Sequence, residues 1–553
     1  MKPCGSHGTG SSPRRFLRNP RRSSMDSDSL RAPRAVPLQS RTRSNAAAEV
    51  PAVEAGRTCG GSGARAADTR KLARNYLALV AGELLAKLVN FVAFAWLGRT
   101  LGAERYGSLE FTLAVMVFFT LPVDMGLGVF GAREIARNPQ AGPRLLAGVT
   151  ALRGLLALVS LACLALLTAA LPVPAEVKEL LLLYGCSLLG IPLLLQWYFQ
   201  GHDEMHWVAL ASLVRYGVFA GLVLAVLAPE MPLRQVGLIE CGAVSAAALF
   251  CLAVAVWRFR AWPSRPAGGW RGAAAYLREA MPIGLTELVW ALLWYVATVL
   301  SGLMVNDASL GWFGASHRIL MALHTFVWLY FFNLLPSIAR TIHSPRAELE
   351  RLLAASLRLT AWAGMLAALL GTVLSGEALR LAYGAAFVGG GTVLATLVWV
   401  IPVALASGHY RYALIAYGRQ SLLLRATGCA ALVVVAGCLV LVPRIGTQGA
   451  AWSLLIGCLV ELGLTQAYVG REIAQVRLLG PLGRPAAAAA GGLILQLGLR
   501  SWNPFLAAAA IGLVFVGLMA VWERRQFGRL VRALWPAHDR SGEEDRAETR
   551  EGI

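Results

Sequence analysis

Four cations stand inside stretches that are otherwise apolar: Lys87, Arg153, Arg215 and Arg318. A charge at the centre of a bilayer costs at least about 2.5 kcal/mol unless it faces protein or water, so each marks a polar cavity inside a membrane domain. A guanidinium presents its N–H donors as a rigid fork that matches paired oxygens, so arginines converging on a cavity suit a phosphate or another multivalent anion. These four residues are the candidate substrate-binding positions. The plainer reading of each is a side chain that snorkels to the interface or bonds a helix-end carbonyl.

Three acids complete the set as candidate coupling or cavity residues: Glu83, Glu287 and Asp124. Glu83 and Lys87 are four apart, one helical turn, in the order that favours an intrahelical pair. They either neutralise one another for structural reasons or line the cavity together. Asp124, in "LPVDMGLGVFGAREIAR", is placed to cap or bind the basic segment after it. Glu287 has no lysine four residues on, which makes it the better candidate for a protonatable coupling group. Glu240 and Glu461 stay unassigned.

Other chemistries lack their residues. There is no phosphate-cradling GxxxxGK[ST], no HExxH, no GxSxG and no paired-Asp motif for a metal–nucleotide complex. The nine cysteines form no CxxC pair and no Cys/His cluster at ligand spacing. No cofactor and no metal are expected, and no enzyme activity. The most enzyme-like cluster is "QGHDEMH" at 200–206, read as a solvated turn in preference to a metal or acid–base site.

The elements that must hold these residues are membrane helices. The chain has 553 residues, 57% hydrophobic and 15% charged, with a mean hydropathy of +0.58. That composition belongs to a polytopic helical membrane protein. Fourteen apolar spans are expected, at 72–97, 108–130, 145–171, 178–199, 207–228, 235–257, 281–304, 310–335, 354–375, 385–407, 423–442, 449–468, 485–499 and 504–522. Pro122, Pro192, Pro282, Pro336 and Pro402 fall inside or at the edges of spans, where they kink helices. The net charge of +20 resides in the tails and connections, which is orientation and lipid-surface charge and excludes a nucleic-acid partner.

With a cytoplasmic N-terminus, the cytoplasmic connections collect Arg133, Arg137, Arg144, the arginines between 258 and 278, Arg340, Arg346, Arg351, Arg411, Arg419, Arg471, Arg477 and Arg484. Only Arg99, Arg105, Lys178, Arg234, Arg380, Arg444 and Arg500 fall opposite. Both termini are then cytoplasmic. Shifted by 204 residues, "RNYLALVAGELLAKLVNFVAFAWLGRTLGAERYG" lies without gaps on "REAMPIGLTELVWALLWYVATVLSGLMVNDASLG", matching Glu83 with Glu287, Gly98 with Gly302 and Gly107 with Gly311. Both segments enter from the cytoplasm, so the repeat is parallel. The expected organisation is a disordered basic cytoplasmic extension 1–70, a six-helix bundle 71–257, a cytoplasmic linker 258–280 and a second six-helix bundle 281–470 related by a pseudo-two-fold. Two added helices at 485–522 and a cytoplasmic tail 523–553 follow.

Several segments carry a family resemblance: the lysine in the first span, "LGAERYG" at 101–107, "VDMGL" at 123–127, "REIAR" at 133–137, "YFQGHDEM" at 198–205, "LREAMPIGL" at 277–285, "GWFGASHRI" at 311–319, "AYGAAFVGGG" at 382–391 and "VPRIGTQGAA" at 442–451. In this order they resemble the Wzx-type polysaccharide flippases of the multidrug/oligosaccharidyl-lipid/polysaccharide exporter superfamily. The resemblance implies two six-helix bundles around a cationic cavity and the movement of undecaprenyl-diphosphate-linked oligosaccharide across the bacterial inner membrane by alternating access. The partners it implies are that lipid-linked substrate, membrane lipids, and the polymerase and glycosyltransferases of the same pathway. The chain departs from the pattern in its long N-terminal extension and in "VNDASLGWFG", which puts ion binding in the seventh span in doubt. An ion-coupled multidrug or metabolite antiporter is the alternative, and an integral-membrane polymerase or ligase a weaker one.

Overall fold

The computed structural model describes residues 61–226, 228, 230–262 and 269–524. Most of the 1–70 extension, part of the 258–280 linker and nearly all of the 523–553 tail lie outside the described residues. Apart from 61–64, the described residues fall in one unit, 65–553. Its helices are α1 (Gly61–Asp124), α2 (Leu127–Arg137), α3 (Gly142–Ala170), α4 (Ala175–Cys186), α5 (Gln196–Gly201), α6 (Met205–Val226), α7 (Arg234–Phe259), α8 (Gly269–Met304) and α9 (Asp307–Arg340). They continue as α10 (Arg346–Val373), α11 (Ser375–Tyr383), α12 (Gly391–Leu397), α13 (Val400–Ala416), α14 (Gln420–Ile445), α15 (Thr447–Glu472), α16 (Leu479–Gly498) and α17 (Pro504–Trp522).

Twelve helical stretches among the described residues are long and apolar enough to cross a membrane. The chain is thus an all-α, multi-pass membrane protein. The first stretch, Gly82–Arg137, runs through two expected spans, 72–97 and 108–130. It breaks at Gly102 (φ 73, ψ 171), a conformation open to a residue without Cβ. The expected span 485–499 lies in α16, which is not among the twelve. Helix α1 begins at Gly61, inside the stretch expected to lack structure, and α8 begins at Gly269, inside the expected linker.

Two expected spans are interrupted. In 178–199 a 3-10 segment, Ser187–Leu193, separates α4 from α5, and in 385–407 another, Ala385–Gly390, precedes α12. Gly190 and Pro192 explain the first, since proline donates no backbone bond. Among the described residues, six apolar clusters hold the helices together. One joins Trp294, Phe313 and Phe331 of α8 and α9 to Val434 and Leu454 of α14 and α15. A second draws Phe94, Tyr106 and Phe219 together with Tyr383, Phe387 and Val398, so a shared core crosses the boundary expected between the two bundles. Another packs Trp362 and Leu369 of α10 on Ala488, Ile511 and Phe515, which seats α16 and α17 against α10.

Candidate functional site

Two central cavities, about 430 and 440 Å³, lie among these helices. They share the wall formed by Glu287, Trp290 and Met321, so they are neighbouring chambers of one polar interior. The first chamber is lined by Lys87 of α1, His324 and Trp328 of α9, Arg411 of α13 and Glu461 of α15. The second is lined by Asn90, Phe94 and Glu110 of α1, Arg215 of α6, Glu240 of α7 and Arg318 of α9.

The arginines of both chambers are paired. Arg318 donates from Nε (2.9 Å) and Nη2 (2.6 Å) to one oxygen of Glu110, and its guanidinium lies 3.6 Å from the Phe94 ring centroid. Arg215 Nη2 donates to Glu240 at 2.7 Å. Arg411 Nη2 donates to Glu461 at 2.5 Å, and the same carboxylate oxygen accepts from Thr427 at 2.7 Å. Such pairing removes most of the cost of holding a cation away from bulk water while leaving several N–H donors of each fork unspent.

Of the predicted site residues, Lys87, Arg215, Arg318 and Glu287 meet around this interior, whereas Glu83, Asp124 and Arg153 line neither chamber. Of the two readings open for Lys87 and Glu83, the intrahelical pair is not formed. Lys87 Nζ sits 5.8 Å from the Trp328 ring centroid, with no carboxylate in ion-pair range among the described residues. Glu83 instead accepts from Ser212 of α6 at 2.9 Å. The helix turn brings the two within reach, but each finds a partner on a different neighbouring helix.

Arg153 is buried and pairs with Asp124, its guanidinium 5.8 Å from the Trp197 ring centroid. Asp124 also accepts from the backbone N of Gly128 at 3.2 Å, so at the α1–α2 corner it caps the first turn of the basic α2 segment, as one of its two expected roles had it, while the arginines of that segment pair with Glu134 and Glu279. That corner needs Gly126, whose φ is 77°; a Cβ there would lie 2.8 Å from Gly284 N. The "QGHDEMH" stretch forms the α5–α6 turn, where Glu204 pairs with Arg258 at 2.7 Å and His202 packs 4.9 Å from Phe259, centroid to centroid.

Sequence reasoning missed four charged cavity residues. Arg411 counted as a connection residue but sits within α13 and faces the first chamber. Glu110, never singled out, and Glu240 and Glu461, unassigned, are the carboxylates that hold Arg318, Arg215 and Arg411. The usable signal was the cost of burying any carboxylate in an apolar span, which applied to Glu110 as much as to Glu83.

The repeat partners Gly107 and Gly311 lie at one helix contact. A Cβ on Gly107 would stand 1.9 Å from the Asp307 carbonyl oxygen, and one on Gly311 2.0 Å from that of Ala103. Ser108 donates to the Asp307 carboxylate at 3.2 Å beside this contact. The backbones of α1 and α9 therefore touch a few residues from the Glu110–Arg318 pair.

Residues 72–342 match the family described as polysaccharide biosynthesis protein. An Escherichia coli (strain K12) protein named as an O-antigen transporter is 23% identical over 251 residues, 45% of this chain; the chain spans 60% of that relative's length. Among solved structures, the lipid II flippase MurJ in an inward closed conformation superposes with a TM-score of 0.66 at 13% identity, over 82% of this chain and 100% of that one. An inward-facing multidrug resistance MATE family transporter of the MOP superfamily superposes with a TM-score of 0.58 at 15% identity, over 73% of this chain and 95% of that one. At such identities the structural likeness is one of fold, and the matched proteins are named as transporters and flippases, not enzymes. Through residues 72–342, just under half of its length, the chain is thus similar to the polysaccharide biosynthesis protein family, on an all-α membrane fold shared with these transporters.

Proposed function

We propose that this protein moves a lipid-linked anionic oligosaccharide, of the undecaprenyl-diphosphate-linked repeat-unit class, from the cytoplasmic to the outer leaflet of the bacterial inner membrane by alternating access. The observation that carries the reading is the pair of adjoining chambers with Arg215, Arg318, Arg411 and Lys87 on their walls. In this reading the diphosphate takes up the donors that the carboxylates leave unspent, and Lys87, with no acid beside it, meets the anion first. Arg153 plays no direct part; it holds the α1–α2 corner. Both termini are cytoplasmic, two six-helix bundles related by a parallel pseudo-two-fold rock about the cavity, and Glu287 on the shared wall is the coupling acid.

The test is the double variant Arg215→Gln with Arg318→Gln in the native host. Lipid-linked repeat units should accumulate on the cytoplasmic face; unchanged export would overturn the assignment. A second reading, an ion-coupled antiporter, is favoured by one observation: Glu110, Glu240, Glu461 and Glu287 give the interior as many acids as cations. Cation efflux from proteoliposomes, abolished by Glu287→Gln without any lipid-linked sugar present, would select it.

A further inference from the structure

Away from the central interior, one end of α10, α16 and α17 borders a separate, open cavity of about 470 Å³ that the transport reading does not use. Arg358, Arg477, Arg484, Glu350, Gln475 and Glu523 are on its walls. Glu350 is committed to the chain, accepting from the Gln475 backbone N at 2.9 Å. Glu523 stands between two guanidiniums, 3.8 Å from Arg358 and 3.7 Å from Arg484, too far for a hydrogen bond to either. Arg484 donates to the Trp522 carbonyl at 3.0 Å. Arg358 makes no hydrogen bond among the described residues, and Arg477 makes neither a hydrogen bond nor an ion pair among them. Three guanidinium forks thus face one loosely held carboxylate, a net positive notch with many unspent donors.

The surroundings are those of a membrane–water boundary. Trp522 is exposed at the end of α17, and Leu479, at the start of α16, is 85% exposed next to the arginines. Tryptophan and basic residues at helix ends are the side chains that meet headgroups. The same turn of α16 presents Leu478 and Leu482 to an apolar cavity of about 700 Å³, also lined by Met365, Leu459, Leu462 and Leu493. A polar anion notch beside an apolar cavity fits an amphiphile better than a free ion.

The geometry points to a binding site for an anionic phospholipid, its phosphodiester held by Arg358, Arg477 and Arg484 and its chains against the apolar cavity, which assigns α16 and α17 the task of seating a bilayer lipid. A basic residue near an anionic headgroup contributes enough for roughly a fivefold preference. The inference stands apart from the transport reading, and its test needs no transport substrate. The full-length protein is reconstituted in nanodiscs of phosphatidylcholine with a minority of phosphatidylglycerol, and the lipids retained after partial delipidation are counted by native mass spectrometry.

The wild type should retain phosphatidylglycerol preferentially, Arg477→Gln should lower the preference about fivefold, and Arg358→Gln with Arg484→Gln should abolish it. Arg477 has no protein partner among the described residues, so its variant should unfold at the wild-type temperature in pure phosphatidylcholine and decides the matter if the double variant does not fold. Equal preference in wild type and Arg477→Gln overturns the proposal. Release of the retained lipid by millimolar inorganic phosphate also overturns it, because the notch would then be a soluble-anion site.

Discussion

Arg215, Arg318 and Arg411 each meet the central interior with a glutamate already in hand, and Lys87 does not. Removing one partner of a buried pair leaves an uncompensated charge, so these sites are sensitive to single substitutions in a way that exposed pairs are not. Because Lys87 and Glu83 contact different helices, Lys87→Ala and Glu83→Gln should combine additively, with a coupling below about 0.5 kcal/mol in thermal unfolding of the double variant. A coupling above about 1 kcal/mol would mean that the two do act as a pair. Arg153 offers the opposite case. Arg153→Leu should destabilise by about 1–3 kcal/mol, because the Asp124 carboxylate it strands is partly exposed and keeps its bond from Gly128 N, and adding Asp124→Asn should restore part of that loss in denaturation assays.

Among the glycines of the described residues, the least room for a Cβ is at Gly107 and Gly311, where helices α1 and α9 meet. Their backbones approach so closely that a single methyl group has no room, and no flexible side chain is present to yield, since the obstructing atoms are a carbonyl and a backbone nitrogen. Gly107→Ala should therefore cost about 1–3 kcal/mol by forcing the two helices apart, measured as a lowered unfolding temperature. Gly463→Ala is the control: a Cβ there meets nothing within 4 Å, so it should be neutral or slightly stabilising in its helix. The kink at Gly102 belongs to the same contact, because it redirects α1 just before the residues that touch α9. This part of the fold was half legible in the sequence. The 204-residue repeat aligned Gly107 with Gly311, but an alignment says only that two residues occupy equivalent places, and equivalence does not imply contact.

Across the whole molecule, the alternating access proposed above would require the α1–α9 contact to separate in each cycle. Ser108 and Asp307 side chains meet there at 3.2 Å. Ser108→Cys with Asp307→Cys, in a background without the native cysteines, should cross-link under oxidation and stop export, and reduction should restore it. Export that continues at the wild-type rate with the cross-link formed would show that the contact is static. The expected division into bundles at 71–257 and 281–470 meets the same question, because the cluster around Tyr106, Tyr383 and Phe387 joins helices from both sides of it.

The sequence by itself determined that this is a multi-pass α-helical membrane protein with a charged interior, because hydrocarbon tolerates only self-satisfied backbone and makes each buried charge conspicuous. It also carried the family resemblance, through short motifs whose order along the chain needs no folding to be read. What only the tertiary structure decided is which charge answers which. Arg215 and Glu240 are 25 residues apart, Arg411 and Glu461 are 50 apart, and Arg318 and Glu110 are 208 apart. No helical periodicity connects such positions, whereas the one pair that periodicity did suggest, Glu83 with Lys87, is the pair the fold leaves unmade. Spacing sets which side chains share a helix face, and the packing of neighbouring helices sets which partner each of them finds.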